Sequence, residues 1–246
     1  MPIPKLQRRT VFVILLGVIL SATGIEAGRL AIEQTSPPEN LQVLGGVPGE
    51  QLQQIMDAVG LSLGVECVHC HEPGAFALDD KPEKQTARQM MRMVETLSST
   101  TFEFLEVPSC WTCHRGAVVP ESIPPALPFP LDPPAGPFSD STGASGVVYR
   151  NVVTHAQLPA NELRDVMGGY TRALGVGCDH CHVPGDWASD ANIVKQLTRV
   201  MSDMQSDLAP NLVDGPDQVT CWTCHRGEVT PQSNMPPELI PVLAND

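Results

Sequence analysis

All eight cysteines of the chain fall in four copies of one pattern, Cys-x-x-Cys-His. The copies are Cys67-Val-His-Cys70-His71, Cys110-Trp-Thr-Cys113-His114, Cys178-Asp-His-Cys181-His182 and Cys221-Trp-Thr-Cys224-His225. Two thiols set two residues apart can add to the vinyl groups of a porphyrin, and the histidine that follows then supplies an axial ligand to the iron. A disulfide framework would not require a histidine after every second cysteine. Structural zinc motifs space their histidines away from the cysteine pair. The pattern therefore predicts four covalently bound haem c groups. Their thioether residues are Cys67, Cys70, Cys110, Cys113, Cys178, Cys181, Cys221 and Cys224, and their proximal ligands are His71, His114, His182 and His225.

A six-coordinate haem needs a second axial ligand, and a thioether raises the potential relative to a second imidazole. Met56 and Met167 each stand 11 residues before the first cysteine of a motif, Cys67 and Cys178. Met90 and Met201 each stand 20 residues before Cys110 and Cys221, while Met93 and Met204 stand 17 before them. Met56 and Met167 are the expected ligands for the first and third haems. Spacing alone leaves Met90/Met201 and Met93/Met204 equal for the second and fourth. His69 and His180, inside the motifs, are expected to point away from the iron. His155 takes the place of Leu44 in the repeat described next and reads as a surface histidine.

The elements that must position these groups are written twice. An offset of 111 residues carries Cys67 onto Cys178 and Cys110 onto Cys221. The same offset superposes Leu63-Gly64-Val65 on Leu174-Gly175-Val176, Pro73-Gly74 on Pro184-Gly185, and Trp111-Thr112 on Trp222-Thr223. The expected organisation is an N-terminal segment 1–27, a dihaem module 41–117, a Pro-rich linker 118–146, a second dihaem module 147–228 and a Pro-rich tail 229–246. Eight prolines between Pro120 and Pro137 predict an extended, semi-rigid linker without packing of its own. An apolar stripe of Leu52, Ile55, Met56, Val59 and Leu63 predicts a helix over about Gly49 to Leu63. A second helix is expected over about Lys84 to Leu97, with a counterpart over about Ile193 to Leu208. Strand-like alternation is scarce, so the expected fold class is mainly α with extensive loops. Aromatic residues make up only 4%, which leaves a thin core that porphyrins would complete.

Lys5, Arg8 and Arg9 flank a stretch from Val11 to Ile25 that carries no charge, and this predicts an N-terminal membrane helix. A cleaved signal is the alternative. Either places the remainder on the periplasmic face of the inner membrane. The 28 acidic residues against 15 basic ones give a net charge of −13. That balance argues against nucleic acid and suits a basic, soluble periplasmic electron donor.

The run Ala87-Arg88-Gln89-Met90-Met91-Arg92-Met93, the approach from Gln51 to Met56 into Cys67, and Cys110-Trp-Thr-Cys113-His114-Arg115-Gly116 resemble the tetrahaem cytochrome subunit of bacterial photosynthetic reaction centres. The resemblance covers both modules. It implies a two-fold repeat of helix, turn and haem, and a relay of electrons to a photo-oxidised bacteriochlorophyll pair, with the reaction-centre core subunits as partners. It also implies that the methionine directly after Ala-Arg-x, Met90, ligates the second haem, and by the repeat that Met201 ligates the fourth. Well-known members carry an extra histidine ligand between the second helix and the second haem motif. Val94 to Ser109 holds none, so four His/Met haems are expected. A methionine to close each iron argues for an electron carrier and against an enzyme. The alternative function is a respiratory or extracellular multihaem carrier.

Overall fold

The computed structural model describes residues 39–100, 108–125, 140–208, 212 and 219–239, all within one compact unit, Pro37–Asp246. Helix α1 spans Gly49–Leu63 and is followed by a 3-10 turn at Cys67–His69. Then come α2 (Pro82–Thr100), α3 (Cys110–His114), α4 (Ser145–Val148) and α5 (Ala160–Leu174). A second 3-10 turn at Cys178–His180 leads to α6 (Ile193–Leu208) and α7 (Cys221–His225). The 111-residue offset carries α1 onto α5, one 3-10 turn onto the other, and α3 onto α7. Among the described residues there is no β-strand, only isolated bridges such as Glu72 with Ala75.

The first helix occupies the predicted residues. The second begins earlier than the apolar stripe indicated, because Pro82 opens it; proline suits the first helical position, where no amide partner is needed. Helices α1 and α5 end at glycines in the left-handed region, Gly64 and Gly175, each with φ 67°. The amide of Val65 reaches back to the Gly60 carbonyl at 3.0 Å, and that of Val176 to Thr171 at 3.1 Å. This six-to-one bond satisfies a terminal carbonyl that the helix leaves open.

Each of these helix ends receives the turn that follows a second haem motif. Gly116 donates its amide to the Ser62 carbonyl at 2.7 Å, and Gly227 donates to Ala173 at 2.8 Å. A Cβ on Gly64 would lie 2.2 Å from the Gly116 oxygen, and one on Gly175 would lie 2.1 Å from that of Gly227. Backbone thus lies directly on backbone, fixing α3 against α1 and α7 against α5.

Helices α3 and α7 also pack on each other, and their contacts are reciprocal. Arg115 donates to the Cys224 carbonyl at 3.0 Å and Arg226 to that of Cys113 at 3.4 Å. Ser109 Oγ donates to the Ser233 carbonyl at 2.5 Å, and Thr220 Oγ1 to that of Ser122 at 2.6 Å. When residue pairs exchange partners in this way, the two halves are related by an approximate two-fold axis. The expected linker without packing is corrected here. Its opening residues and those of the tail cross the axis and accept these bonds.

The protein supplies little core of its own. Among the described residues the buried apolar set is Trp111, Ala160, Ala173, Leu208 and Trp222, whereas Phe76, Trp187 and Ile193 are at least half exposed. A fully buried core residue normally touches many others, and five cannot form such a network. No helix among the described residues is long and apolar enough to cross a membrane, and the segment expected to be an anchor lies outside them.

Replacing Gly175 with Ala forces a side chain into the backbone seam at a left-handed φ. It is expected to cost on the order of 3 kcal/mol. Gly49→Ala, at a helix start where an added Cβ meets nothing within 4 Å, is expected to be nearly neutral. Thermal unfolding of the haem-loaded variants, followed by helical circular dichroism, measures both.

Candidate haem sites

The four Cys-x-x-Cys-His motifs adopt two local structures. The first of each repeat is a 3-10 turn in which the His71 amide bonds to Cys67 O at 3.0 Å, and the His182 amide to Cys178 O at 3.0 Å. The second of each repeat is one turn of α-helix held by a reciprocal cap. Ser109 caps α3 and Thr220 caps α7. Thr112 and Thr223 accept the capping residue's amide at 2.9 and 3.0 Å in return. Both folds bring two thiols and an imidazole onto one short arc. None of the eight cysteines is in a disulfide.

The histidines that close the four motifs share a feature that sequence spacing did not reveal. Nδ1 of His71 bonds to the Phe76 carbonyl at 3.1 Å and that of His182 to Trp187 at 3.0 Å. Nδ1 of His114 bonds to Ala117 at 2.9 Å and that of His225 to Glu228 at 3.0 Å. A carbonyl on Nδ1 fixes the ring and the tautomer, leaving Nε2 as the metal donor, which is the support a ligating histidine requires. Phe76 and Trp187 also pack their rings on His71 and His182, with centroids 5.4 and 5.5 Å apart.

Burial pushes all four imidazoles below their ordinary pKa, against the opposing effect of the carbonyl bonds. Nearby cations add to the lowering at His71, through Lys84, Arg88 and Lys81, and at His182, through Lys195 and Arg199. The rings are thus neutral at neutral pH, the state in which imidazole binds iron.

A cavity of about 750 Å³ gathers Met167, Cys178, Cys181 and His182 on its walls. That volume lies within the roughly 300–1,000 Å³ typical of cofactor pockets. A smaller cavity, about 200 Å³, brings Met90 together with Cys110 and His114. Met93 and Met204 line neither cavity, and neither do Met56 on α1 and Met201 on α6. His69 faces the second-motif cavity of its own repeat. His155 is corrected from a surface position. It lines the larger cavity and lies 2.6 Å from the Tyr170 hydroxyl, which donates to Ser202 at 2.9 Å.

A polar cluster that the motif reading missed braces each first motif. Asn40, at φ 61°, donates to the Ala77 carbonyl at 2.6 Å and to Asp79 at 3.0 Å. Its own carbonyl accepts from Arg88 at 3.1 Å. The offset reproduces every part, with Asn151 donating to Ala188 at 2.5 Å and to Asp190 at 2.8 Å, and accepting from Arg199 at 3.2 Å. Arg88 and then Asn40 hold the Asp79 carboxyl well below the usual carboxylate range. Arg199 leads in holding Asp190 at about 2. The signal lay in the sequence, since Asn, Asp, Lys and Arg all recur at the offset.

Repeated helices that end on paired thiols and carbonyl-braced histidines define a c-type cytochrome. The family model of the photosynthetic reaction centre cytochrome C subunit matches the chain twice, over residues 26–128 and 125–236. The chain belongs to that family, and covalently bound haem c is the cofactor it carries. A photosynthetic reaction center cytochrome c subunit of Thermochromatium tepidum is 37% identical over 103 residues, covering 39% of this chain and 25% of that protein. Cytochrome c-554 of Chloroflexus aurantiacus is 28% identical over 217 residues, covering 65% and 51%. A reaction center cytochrome c subunit of Roseobacter denitrificans is 25% identical over 259 residues, covering 80% and 69%. The matched region therefore spans a quarter of the first of these relatives and about half of the second.

Because Asp190 titrates lower in the folded chain than its ordinary 3.8, its contribution to stability is complete above that pH and lost as pH falls toward about 2. Asp190→Asn is expected to flatten the acid limb of the stability profile over that window and leave its shape near neutrality unchanged. Melting curves of the two haem-loaded proteins across the acid range provide the comparison.

Proposed function

We propose that the chain is a membrane-attached periplasmic cytochrome that holds four haem c groups. In this reading it passes electrons from a soluble donor to the photo-oxidised bacteriochlorophyll pair of a reaction centre. The observation that carries the reading is the double match to the reaction-centre cytochrome family, one match on each repeat, each containing two complete haem-attachment motifs. Haem c supplies one-electron exchange between ferric and ferrous iron. The chain's part is to attach, space, orient and insulate the carriers.

His71, His114, His182 and His225 are assigned as proximal ligands, each presented through Nε2 by its bond to a backbone carbonyl. Met56, Met90, Met167 and Met201 are assigned as the opposite ligands. The shared walls of Met90 with His114, and of Met167 with His182, support two of these pairings. The repeat extends them to Met56 and Met201. Thioether ligation by these methionines would favour ferrous iron, as a high-potential donor to an oxidised pigment needs.

The seam between the halves sets the order of the attachment sites. Cys113 and Cys224 Sγ lie 3.4 Å apart across the two-fold axis. The second and fourth attachment motifs therefore adjoin, one packed on α1 and the other on α5. An electron passing from one repeat to the other would cross where these two motifs adjoin. The acidic surface, with 28 Asp and Glu in the chain, suits a basic donor.

Flash excitation of native membranes, with the c-haem α-band monitored, tests the proposal. The expected result is rapid haem oxidation after a single pulse, lost when the gene is deleted. Haems that are reduced chemically but do not respond to light would replace this reading with a respiratory or extracellular carrier.

A further inference from the structure

The four histidine–carbonyl bonds are not equivalent. The Phe76 carbonyl that receives His71 Nδ1 also receives the Lys84 ammonium at 2.8 Å, and the Trp187 carbonyl that receives His182 Nδ1 also receives Lys195 at 2.9 Å. Each ammonium is anchored by a second carbonyl, Leu78 at 2.6 Å and Ser189 at 3.0 Å. The carbonyls of Ala117 and Glu228 receive His114 and His225 at 2.9 and 3.0 Å.

We infer that Lys84 and Lys195 are positioning residues that raise the reduction potentials of the first and third haems by acting through the proximal histidine. The inference rests on the ligand assignment proposed above. A carbonyl oxygen bound by an ammonium has less electron density to offer a second donor, and a charge-assisted bond is roughly twice as strong as a neutral one. The Nδ1–H bond is therefore weakened, the imidazole is less anionic, and it donates less to ferric iron. Ferric iron loses stabilisation and the midpoint rises. The field of the ammonium acts in the same direction, because ferrous iron carries less positive charge.

The partner carboxylates do not cancel this effect. The Lys84 side chain is 9% exposed and that of Asp79, 3.1 Å away, is 34% exposed. For Lys195 and Asp190, 3.4 Å apart, the figures are 11% and 41%. The cation lies inside against the carbonyl, and the anion lies outside, where water screens it. Arg88 on Asp79 and Arg199 on Asp190 leave each cluster with one net positive charge.

Spectroelectrochemical titration of the haem-loaded protein tests the inference. Lys84→Met is expected to lower one midpoint and leave the other three fixed. Asp79→Asn is expected to raise the same one, and Lys195→Met to lower a different one. The far-red charge-transfer band of methionine-bound ferric haem should be unchanged in each. In the reduced protein, the His71 Nδ1 proton resonance should move downfield in Lys84→Met as its hydrogen bond strengthens. Midpoints that do not move, or that move in the same direction for Lys84→Met and Asp79→Asn, would overturn the inference. Should Lys84→Met fail to assemble, Asp79→Asn and Lys195→Met decide the matter by the same signs. A missing charge-transfer band in the parent protein would instead refute the methionine assignment on which the inference rests.

Discussion

The arrangement of the whole molecule depends on one backbone contact made twice. The carbonyl of Gly116 lies where a side chain on Gly64 would be, and that of Gly227 where one on Gly175 would be. Each contact fixes a second haem motif to the end of the helix that leads into the first motif. The distance between the two attachment sites of a repeat is therefore set by main chain, which is stiffer than any side-chain packing. The amide bonds from Gly116 to Ser62 and from Gly227 to Ala173 complete the seam. Helices α3 and α7, once fixed in this way, present equivalent faces to each other, and the two repeats join there through reciprocal bonds from Arg115 and Arg226.

That skeleton encloses space more than core. Five apolar residues are buried among those described, and a cavity of about 750 Å³ is bounded by residues proposed to hold a haem. Porphyrin is apolar and large, so the cofactor contributes the burial that the polypeptide lacks. Folding and cofactor attachment are then coupled, as they are in small metal-dependent domains. The exposed rings of Phe76 and Trp187 fit this picture, since each packs on the histidine of a Cys-x-x-Cys-His motif, His71 or His182.

Much of the site was legible because its chemistry is covalent and local. Cys-x-x-Cys-His requires fixed neighbours, and a 111-residue offset exposes the repeat without any alignment. Helix α1 was legible from its apolar stripe and from Gly64 at its end. What stayed hidden were bonds to backbone oxygen. No spacing rule shows that Ser122 and Ser233, in Pro-rich segments, offer carbonyls across the axis to Thr220 and Ser109. The carbonyls behind the four histidines are equally silent in sequence. His155 was misread because its position was compared alone. Tyr170 stands where the first repeat has Val59, and Ser202 where it has Met91, so three apolar positions became polar together. Reading those three differences as one event would have placed His155 against Tyr170.

That the eight cysteines make four haem attachments on one framework, as proposed, is tested most directly by the intact mass of the protein purified from its host. The predicted result is a polypeptide carrying four haem c groups, with no thiol left to react with an alkylating reagent under denaturing conditions. Fewer than four haems, or a pair of free cysteines at any of the four motifs, would contradict it.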